Sequence, residues 1–248
     1  CALPILPLLD FYVVYRAMVR AKVAALGLGE DAVANQRILA SVDRYLDFAT
    51  QVIVPRQSAL VLTCGVSGSG KSYLARRLLA NCGLIRLRSD VERKRLAGLR
   101  ERDRSDSDVG GGLYGPMATQ KTYQRLLHLT DTVVSSGLPV LVDATFLSLP
   151  QRDAFLDLAR AKNVPAGVLV CTAPEPVLRE RVERRAASQD DPSEADVDVL
   201  ESQLERAEMP AHDDPQCLHI DTSERSSLEK AGHWLKALLD GPADQSAD

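Results

Sequence analysis

The chain has 248 residues, 45% of them hydrophobic and 4% aromatic, with a formal net charge of −4. That is enough apolar material for a core, and the lack of a basic excess weighs against long nucleic acid as a partner. No run is long and apolar enough to suggest a membrane span, and the scattered Cys1, Cys64, Cys82, Cys171 and Cys217 form no C-x-x-C pair, so a reducing cytoplasmic setting without disulfides or a zinc site is expected.

The chain opens on Cys1 rather than Met and is expected to be a fragment. Cys1–Ile5 matches one frame of a common sequencing adapter, which would put the native start near Leu6. Leu3–Leu9 is short, holds two prolines and has no basic flank, so it makes a poor signal peptide. Helical spacing of apolar residues predicts two helices over 8–50, broken at Gly27 and Gly29. A polar hinge, Val54-Pro55-Arg56-Gln57-Ser58, ends a helical segment at 1–57.

A second domain is expected over 58–240. Its first strand, 59–64, runs into Gly65-Val66-Ser67-Gly68-Ser69-Gly70-Lys71-Ser72, and a helix over 71–81 follows. This is G-x-x-x-x-G-K-S, a Walker A phosphate loop, in the strand–loop–helix setting that the motif needs. Gly65, Gly68 and Gly70 permit backbone angles and close approach that a Cβ would obstruct. Backbone N–H groups and the helix N-terminus bind phosphate oxygens, Lys71 would neutralise the β- and γ-phosphates, and the Ser72 hydroxyl would hold Mg²⁺. The bland alternative is a glycine turn that binds nothing.

Further predicted elements are strand 84–88, helix 91–98, a charged and glycine-rich loop over 99–116, helix 117–136, strand 139–143 and helix 150–162. Strand 165–171, helices 175–187 and 193–207, strand 217–220 and helix 226–239 complete the domain. The tail 241–248 is expected to be disordered. Alternation of strands and helices implies a parallel sheet with helices on both faces and ligands beyond the strands' carboxyl ends.

Chemistry-bearing residues cluster at those ends. Val140-Leu141-Val142-Asp143 is a Walker B pattern, and Asp143 would face Ser72 across Mg²⁺, unless it only caps the next turn. Arg88-Ser89-Asp90 ends the second strand. Asp90 could accept the proton of an attacking hydroxyl, whereas Ser89 or Asp90 could instead cap the following helix. The helix after strand 165–171 carries Arg179, Arg181, Arg184 and Arg185. Arg181 or Arg185 would stabilise a transferring phosphoryl group from a lid, against the alternative of a solvated face paired with Glu180 and Glu183. Asp190, Asp191, Ser193 and Glu194 read as a polar hinge and cap for the next helix. Eight basic residues over 86–104, interleaved with acids, suggest either an anion-binding surface or a solvated mixed-charge face.

G-V-S-G-S-G-K-S, R-S-D, V-L-V-D-A-T and L-R-E-R-V-E-R-R together resemble the P-loop small-molecule kinases, a group including gluconate kinase, zeta-toxin-type and chloramphenicol kinases and polynucleotide 5′-kinase. The resemblance covers about 58–240. It implies a nucleoside-monophosphate-kinase-like sheet of order 2-3-1-4-5 with a lid, ATP and Mg²⁺ as cofactors, and a small-molecule hydroxyl acceptor. Residues 8–23 and Asp191–Asp196 resemble bacterial two-domain proteins whose other half is aminoglycoside-phosphotransferase-like. That implies an intramolecular N-terminal partner whose remnant is the 1–57 segment, with apolar faces left exposed. Where that group often has a further basic residue in the lid, this chain has Ser188. The expected activity is phosphoryl transfer from ATP to a hydroxyl. The rivals are a polynucleotide 5′-kinase, which the acidic charge and few aromatics oppose, and a regulatory nucleotidase module coupled to the missing half.

Overall fold

The computed structural model describes residues 5–53, 57–101, 103, 112–188 and 196–240. The expected hinge residues 54–56, half of the 99–116 loop (102 and 104–111), the polar stretch at 190–194 and the tail lie outside the described residues. The chain divides into two compact units, Cys1–Arg56 and Gln57–Asp248.

The first unit is a hairpin of α1 (Leu6–Ala25) and α2 (Ala32–Ile53). The turn between them is held by side chains. Asn35 exchanges two hydrogen bonds with the Gly29 backbone, at 3.0 and 2.7 Å, and the Asp31 carboxylate accepts from Val33 N–H at 2.9 Å. Ala17 and Ala21 of α1 and Ala49 and Val52 of α2 are buried, whereas Phe11, Tyr12, Tyr15, Met18 and Phe48 stand exposed.

The second unit is a five-stranded parallel sheet, β1 (Leu60–Cys64), β2 (Ile85–Arg88), β3 (Val140–Asp143), β4 (Ala166–Thr172) and β5 (Cys217–Asp221), in the order β2-β3-β1-β4-β5. This is the expected order. β1 is central and entirely buried, as a continuous apolar run in a parallel sheet requires. Among the described residues seven α-helices alternate with or follow these strands: α3 (Lys71–Cys82), α4 (Ser89–Leu96), α5 (Pro116–Ser135), α6 (Leu149–Ala161), α7 (Glu175–Ser188), α8 (Val197–Arg206) and α9 (Ser227–Asp240). Leu74 and Leu78 of α3 and Ala231 and Leu235 of α9 pack on Val61, Leu141, Leu169 and Ile220 of the sheet. Leu126, Leu129 and Val133 of α5 and Phe155 of α6 are also buried.

In the second unit two helix starts differ from expectation by two residues or more. α4 begins at Ser89, two residues early, because β2 runs into it with no intervening loop. Extended Arg88 occupies the N-cap position without a side-chain cap bond, so neither Ser89 nor Asp90 is the cap. Asp90 instead lies in the first turn, where the helix dipole favours a carboxylate. α8 begins at Val197, capped by the Asp196 carboxylate, which accepts from Val199 N–H at 2.9 Å.

Gly167 of β4 is fixed by packing. A Cβ there would lie 2.5 Å from Trp234 Cζ2 of α9 and 3.2 Å from the Gln216 carbonyl oxygen. Gly167→Ala is therefore expected to destabilise the unit by about 1–3 kcal/mol through overpacking. Thermal melting should show a fall of about 2–4 °C per kcal/mol for a domain of this size; an unchanged midpoint would mean that Trp234 moves aside freely.

Candidate active site

A cavity of about 530 Å³ opens at the carboxyl ends of the strands, and Lys71, Ser72, Asp90, Asp143, Arg181 and Arg185 all line it. These predicted residues thus converge from four elements, β3, α3, α4 and α7. Gly68, Gly70 and Ser67 also line it. Val66 turns away and packs with Leu178, Val182 and Leu200, which anchors the loop's outer turn.

The loop is braced by its own amides: Gly65 N–H donates to the Thr145 carbonyl at 3.0 Å and Ser69 N–H to the Val66 carbonyl at 3.2 Å. Gly65 has φ +143°, and a Cβ there would collide with the Cys171 carbonyl oxygen of β4. Gly68 has φ +80°, and a Cβ would lie 2.6 Å from the Leu178 carbonyl oxygen. Both positions therefore require glycine on conformational and steric grounds. The first amides of α3 have no intrahelical acceptor, as at any helix N-terminus, which makes this end suited to an anion.

Lys71 is 8% exposed. Its Nζ donates to the Val66 carbonyl at 2.6 Å and to Ser69 Oγ at 3.2 Å, so the ammonium closes the loop on itself. Burial lowers its pKa from the usual value; Cys171, Asp143, Cys64 and Asp90 pull the other way. The Cys171 thiol is itself pushed up to about 12 by burial. It is therefore uncharged near neutrality, and of these neighbours the carboxylates are the effective counter-charges. Burial also raises the Cys64 thiol. Iodoacetamide at pH 8 is expected to leave Cys64 and Cys171 unmodified in the folded protein and to label both after unfolding in guanidinium. Peptide mass mapping checks this, and native labelling of either would show the strand ends to be open.

Asp143 is 4% exposed. It accepts from Ser72 Oγ at 2.9 Å and is paired with Arg86 of β2, which bonds it through both Nε and Nη2 and also reaches the Ser72 carbonyl at 3.3 Å. Asp143 and Arg88 are register partners across β3 and β2, and Arg88 Nε lies 3.9 Å from the carboxylate. Arg86 therefore belongs to the site and not to a surface patch. Of the other charges expected on a face, Glu92 is buried against Arg95 and Arg125, Lys94 is buried and donates to the Glu101 carbonyl at 3.3 Å, and Arg93 lies 4.8 Å over the Tyr114 ring.

The four arginines of α7 separate. Arg179 pairs with Glu175 and Glu201 at the surface, and Arg184 lies 3.6 Å from Glu180. Arg181 donates to the Gly68 carbonyl at 3.2 Å and to Thr222 Oγ1 at 2.8 Å, while the Thr222 hydroxyl donates to the Ser69 carbonyl at 2.9 Å. Arg181 thus clamps the phosphate loop to the turn after β5. Arg185 lines the cavity without that tie.

Sequence reading missed Tyr123 and Gln203 of the cavity and Thr222, which braces the loop, and it placed Arg86 and Arg93 only in the basic run over 86–104. Arg93 carried a further signal, since it lies three residues after Asp90 on the same helix and so shares its face. The Tyr123 hydroxyl lies 3.3 Å from Thr145 Oγ1 and accepts from Phe146 N–H at 3.2 Å. Phe146 has φ +45°, a costly angle for an aromatic residue, and is held there by edge-to-face contacts with Tyr123 and Phe155 and by Arg152 on its carbonyl. This turn fixes the strand end that carries Asp143.

A parallel sheet of this order with a glycine loop after its central strand defines a P-loop kinase-like domain. The chain belongs to the AAA domain family, whose model matches residues 60–210. The uncharacterized proteins Rv2004c of Mycobacterium tuberculosis and Mb2027c of Mycobacterium bovis are each 29% identical to it over 182 residues, 73% of this chain and 36% of theirs. The chain therefore spans about a third of the length of these relatives. Among solved structures it resembles a gluconokinase from Sinorhizobium meliloti, at 21% identity and TM-score 0.54 over 77% of this chain and 99% of that one. It also resembles Chaetomium thermophilum Kti12 in complex with ADP-AlF3, at 16% identity and TM-score 0.56 over 73% and 100%. Mycobacterium tuberculosis APS kinase CysC, in complex with AMPPNP and APS, gives 17% identity and TM-score 0.51 over 75% and 100%. At these identities the likeness is one of fold.

Proposed function

We propose that residues 58–240 form an ATP- and Mg²⁺-dependent kinase that phosphorylates a hydroxyl of a small molecule. The observation that carries this reading is the meeting, in one cavity, of a phosphate loop with its lysine, a Ser72–Asp143 pair and a separate carboxylate, Asp90. Gluconokinase and APS kinase among the structural neighbours, and the bound nucleotides of the Kti12 and APS kinase structures, agree with it.

In this reading the loop amides of 65–72 and Lys71 hold the triphosphate. Ser72 and Asp143 offer hard oxygen donors beside it, which suits Mg²⁺, an ion that takes one or two protein oxygens and completes its shell with water and phosphate. When bound, that ion would neutralise charge on the β- and γ-oxygens. Asp90 accepts the proton of the acceptor hydroxyl as its oxygen bonds to the γ-phosphorus. The bond to the β–γ bridging oxygen breaks and ADP departs. Arg185 stabilises the charge spread over the transferring group, and Arg181 preserves the loop's shape. Because the transition state is loose, positioning and charge neutralisation supply most of the acceleration. In this reading the whole protein also carries a phosphotransferase-like half; the relatives' greater length leaves room for a further domain and says nothing of its kind.

The test is ATP turnover with Mg²⁺, with and without sugars, nucleosides, aminoglycosides and 5′-hydroxyl oligonucleotides. Stimulation by one small hydroxylated class is the expected result. Stimulation by oligonucleotides alone, falling steeply with salt, would instead identify a polynucleotide kinase. Slow turnover indifferent to every acceptor would identify a regulatory nucleotidase.

A further inference from the structure

Gln203 of α8 touches the phosphate loop yet has no part in the roles above. Its Oε1 accepts from the Ser67 backbone N–H at 2.7 Å, a bond between residues 136 positions apart. α8 is brought there by several independent contacts. Leu200 is fully buried against Val66, Leu178 and Val182. Glu201 pairs with Arg179 of α7 at 2.8 Å. Just beyond α8, Glu208 donates its N–H to the Leu147 carbonyl at 2.8 Å and accepts from Leu149 N–H at 2.8 Å. Gln203 is therefore delivered to the loop by a fixed helix.

The sense of the bond sets the side chain's polarity. Ser67 N–H is the donor, so Oε1 faces the loop and Nε2 points its two hydrogens elsewhere. No described residue accepts from Nε2, and Gln203 lines the same cavity as Lys71, Ser72 and Asp90. The effect is an exchange: one backbone donor is withdrawn from the cavity, and two side-chain donors are placed at its margin. The location is informative too. Lys71 Nζ sits on the Val66 carbonyl, the residue next to Ser67. The ammonium suited to the outer phosphates and the Gln203 carboxamide thus border the same part of the loop.

We propose that Gln203 is a specificity-determining residue for the terminal phosphate: Oε1 orients the Ser67 amide, and Nε2 donates to the γ-phosphoryl oxygens, so the site distinguishes a nucleoside triphosphate from a diphosphate. This rests on the reading of the loop as an ATP site. Calorimetric titration of the full chain with Mg²⁺ and either ADP or the ATP analogue AMPPNP tests it. Gln203→Glu keeps an acceptor for Ser67 N–H and replaces the donors with a negative oxygen. It is expected to weaken AMPPNP about 10–100-fold, the value of hydrogen bonds to a charged group, with ADP affinity and melting temperature unchanged. Gln203→Ala, which removes both limbs, is expected to weaken AMPPNP likewise while sparing ADP. Wild-type AMPPNP affinity in a folded variant, or equal loss of both nucleotides, overturns the proposal while leaving the nucleotide site standing. Failure of the unsubstituted chain to bind either nucleotide overturns the ATP-site reading, and this proposal with it.

Discussion

Lys71→Met is expected to reduce phosphoryl transfer by about 10³-fold or more, because it removes a preorganised, largely buried cation from the place where charge develops. Methionine preserves most of the buried volume, so the loss should not come from a cavity. Burial already disfavours the ammonium in the nucleotide-free protein, and its compensation is two bonds within its own loop. Removing the charge is therefore expected to leave the melting temperature unchanged or raised. Activity and stability should move independently, and comparing turnover with thermal melting resolves them. A variant that keeps near-wild-type turnover would remove Lys71 from the chemistry. One that loses activity together with its melting transition would assign Lys71 to the fold.

Asp90→Asn is expected to lower acceptor phosphorylation by about 10²–10⁴-fold, the usual contribution of a positioned general base, while nucleotide affinity stays unchanged. The asparagine has the same shape and can still accept a hydrogen bond, so what disappears is the capacity to take a proton. Asp90 stands on the first turn of α4, lines the same cavity as Ser72 and Asp143, and does not cap the helix. The substitution should therefore leave α4 intact. Acceptor-dependent and acceptor-independent ATP consumption are to be measured side by side. Selective loss of the first is the expected outcome. Equal loss of both would make Asp90 part of the nucleotide or metal site, and retained transfer would remove the base from the mechanism.

The legible part of the site was the part written in contiguous residues. Gly65–Ser72 announces itself because phosphate binding by backbone donors demands glycine at fixed spacings, and Val140–Asp143 because a buried strand that ends in a carboxylate is conspicuous. The sheet order was expected from family resemblance and agrees with the structure. Arg86 was not legible. An arginine in a strand flanked by further arginines looks like an exposed face, and only the pairing of β2 with β3 turns it onto Asp143. Gln203 was hidden for a different reason. Its helix reads as an ordinary amphipathic segment, and its partner is a backbone amide, which no side-chain pattern marks. The division of labour in α7 was half-visible. Spacing put Arg181 and Arg185 on one face, but only the position of Thr222 shows that Arg181 is engaged in holding the loop.

The Thr222 tie has a consequence for how the protein is made. Thr222 is 153 positions beyond Ser69, whose carbonyl it binds, and it also receives Arg181. A chain growing at about 5–20 residues per second reaches it roughly 8–30 s after the glycine loop has been synthesised. Throughout that interval every letter of the phosphate-binding motif exists and its clasp does not. Nucleotide can therefore lend little binding energy to the nascent chain, and the growing polypeptide must depend on the burial of its own sheet, or on chaperones, until Thr222 has been added and can reach Ser69.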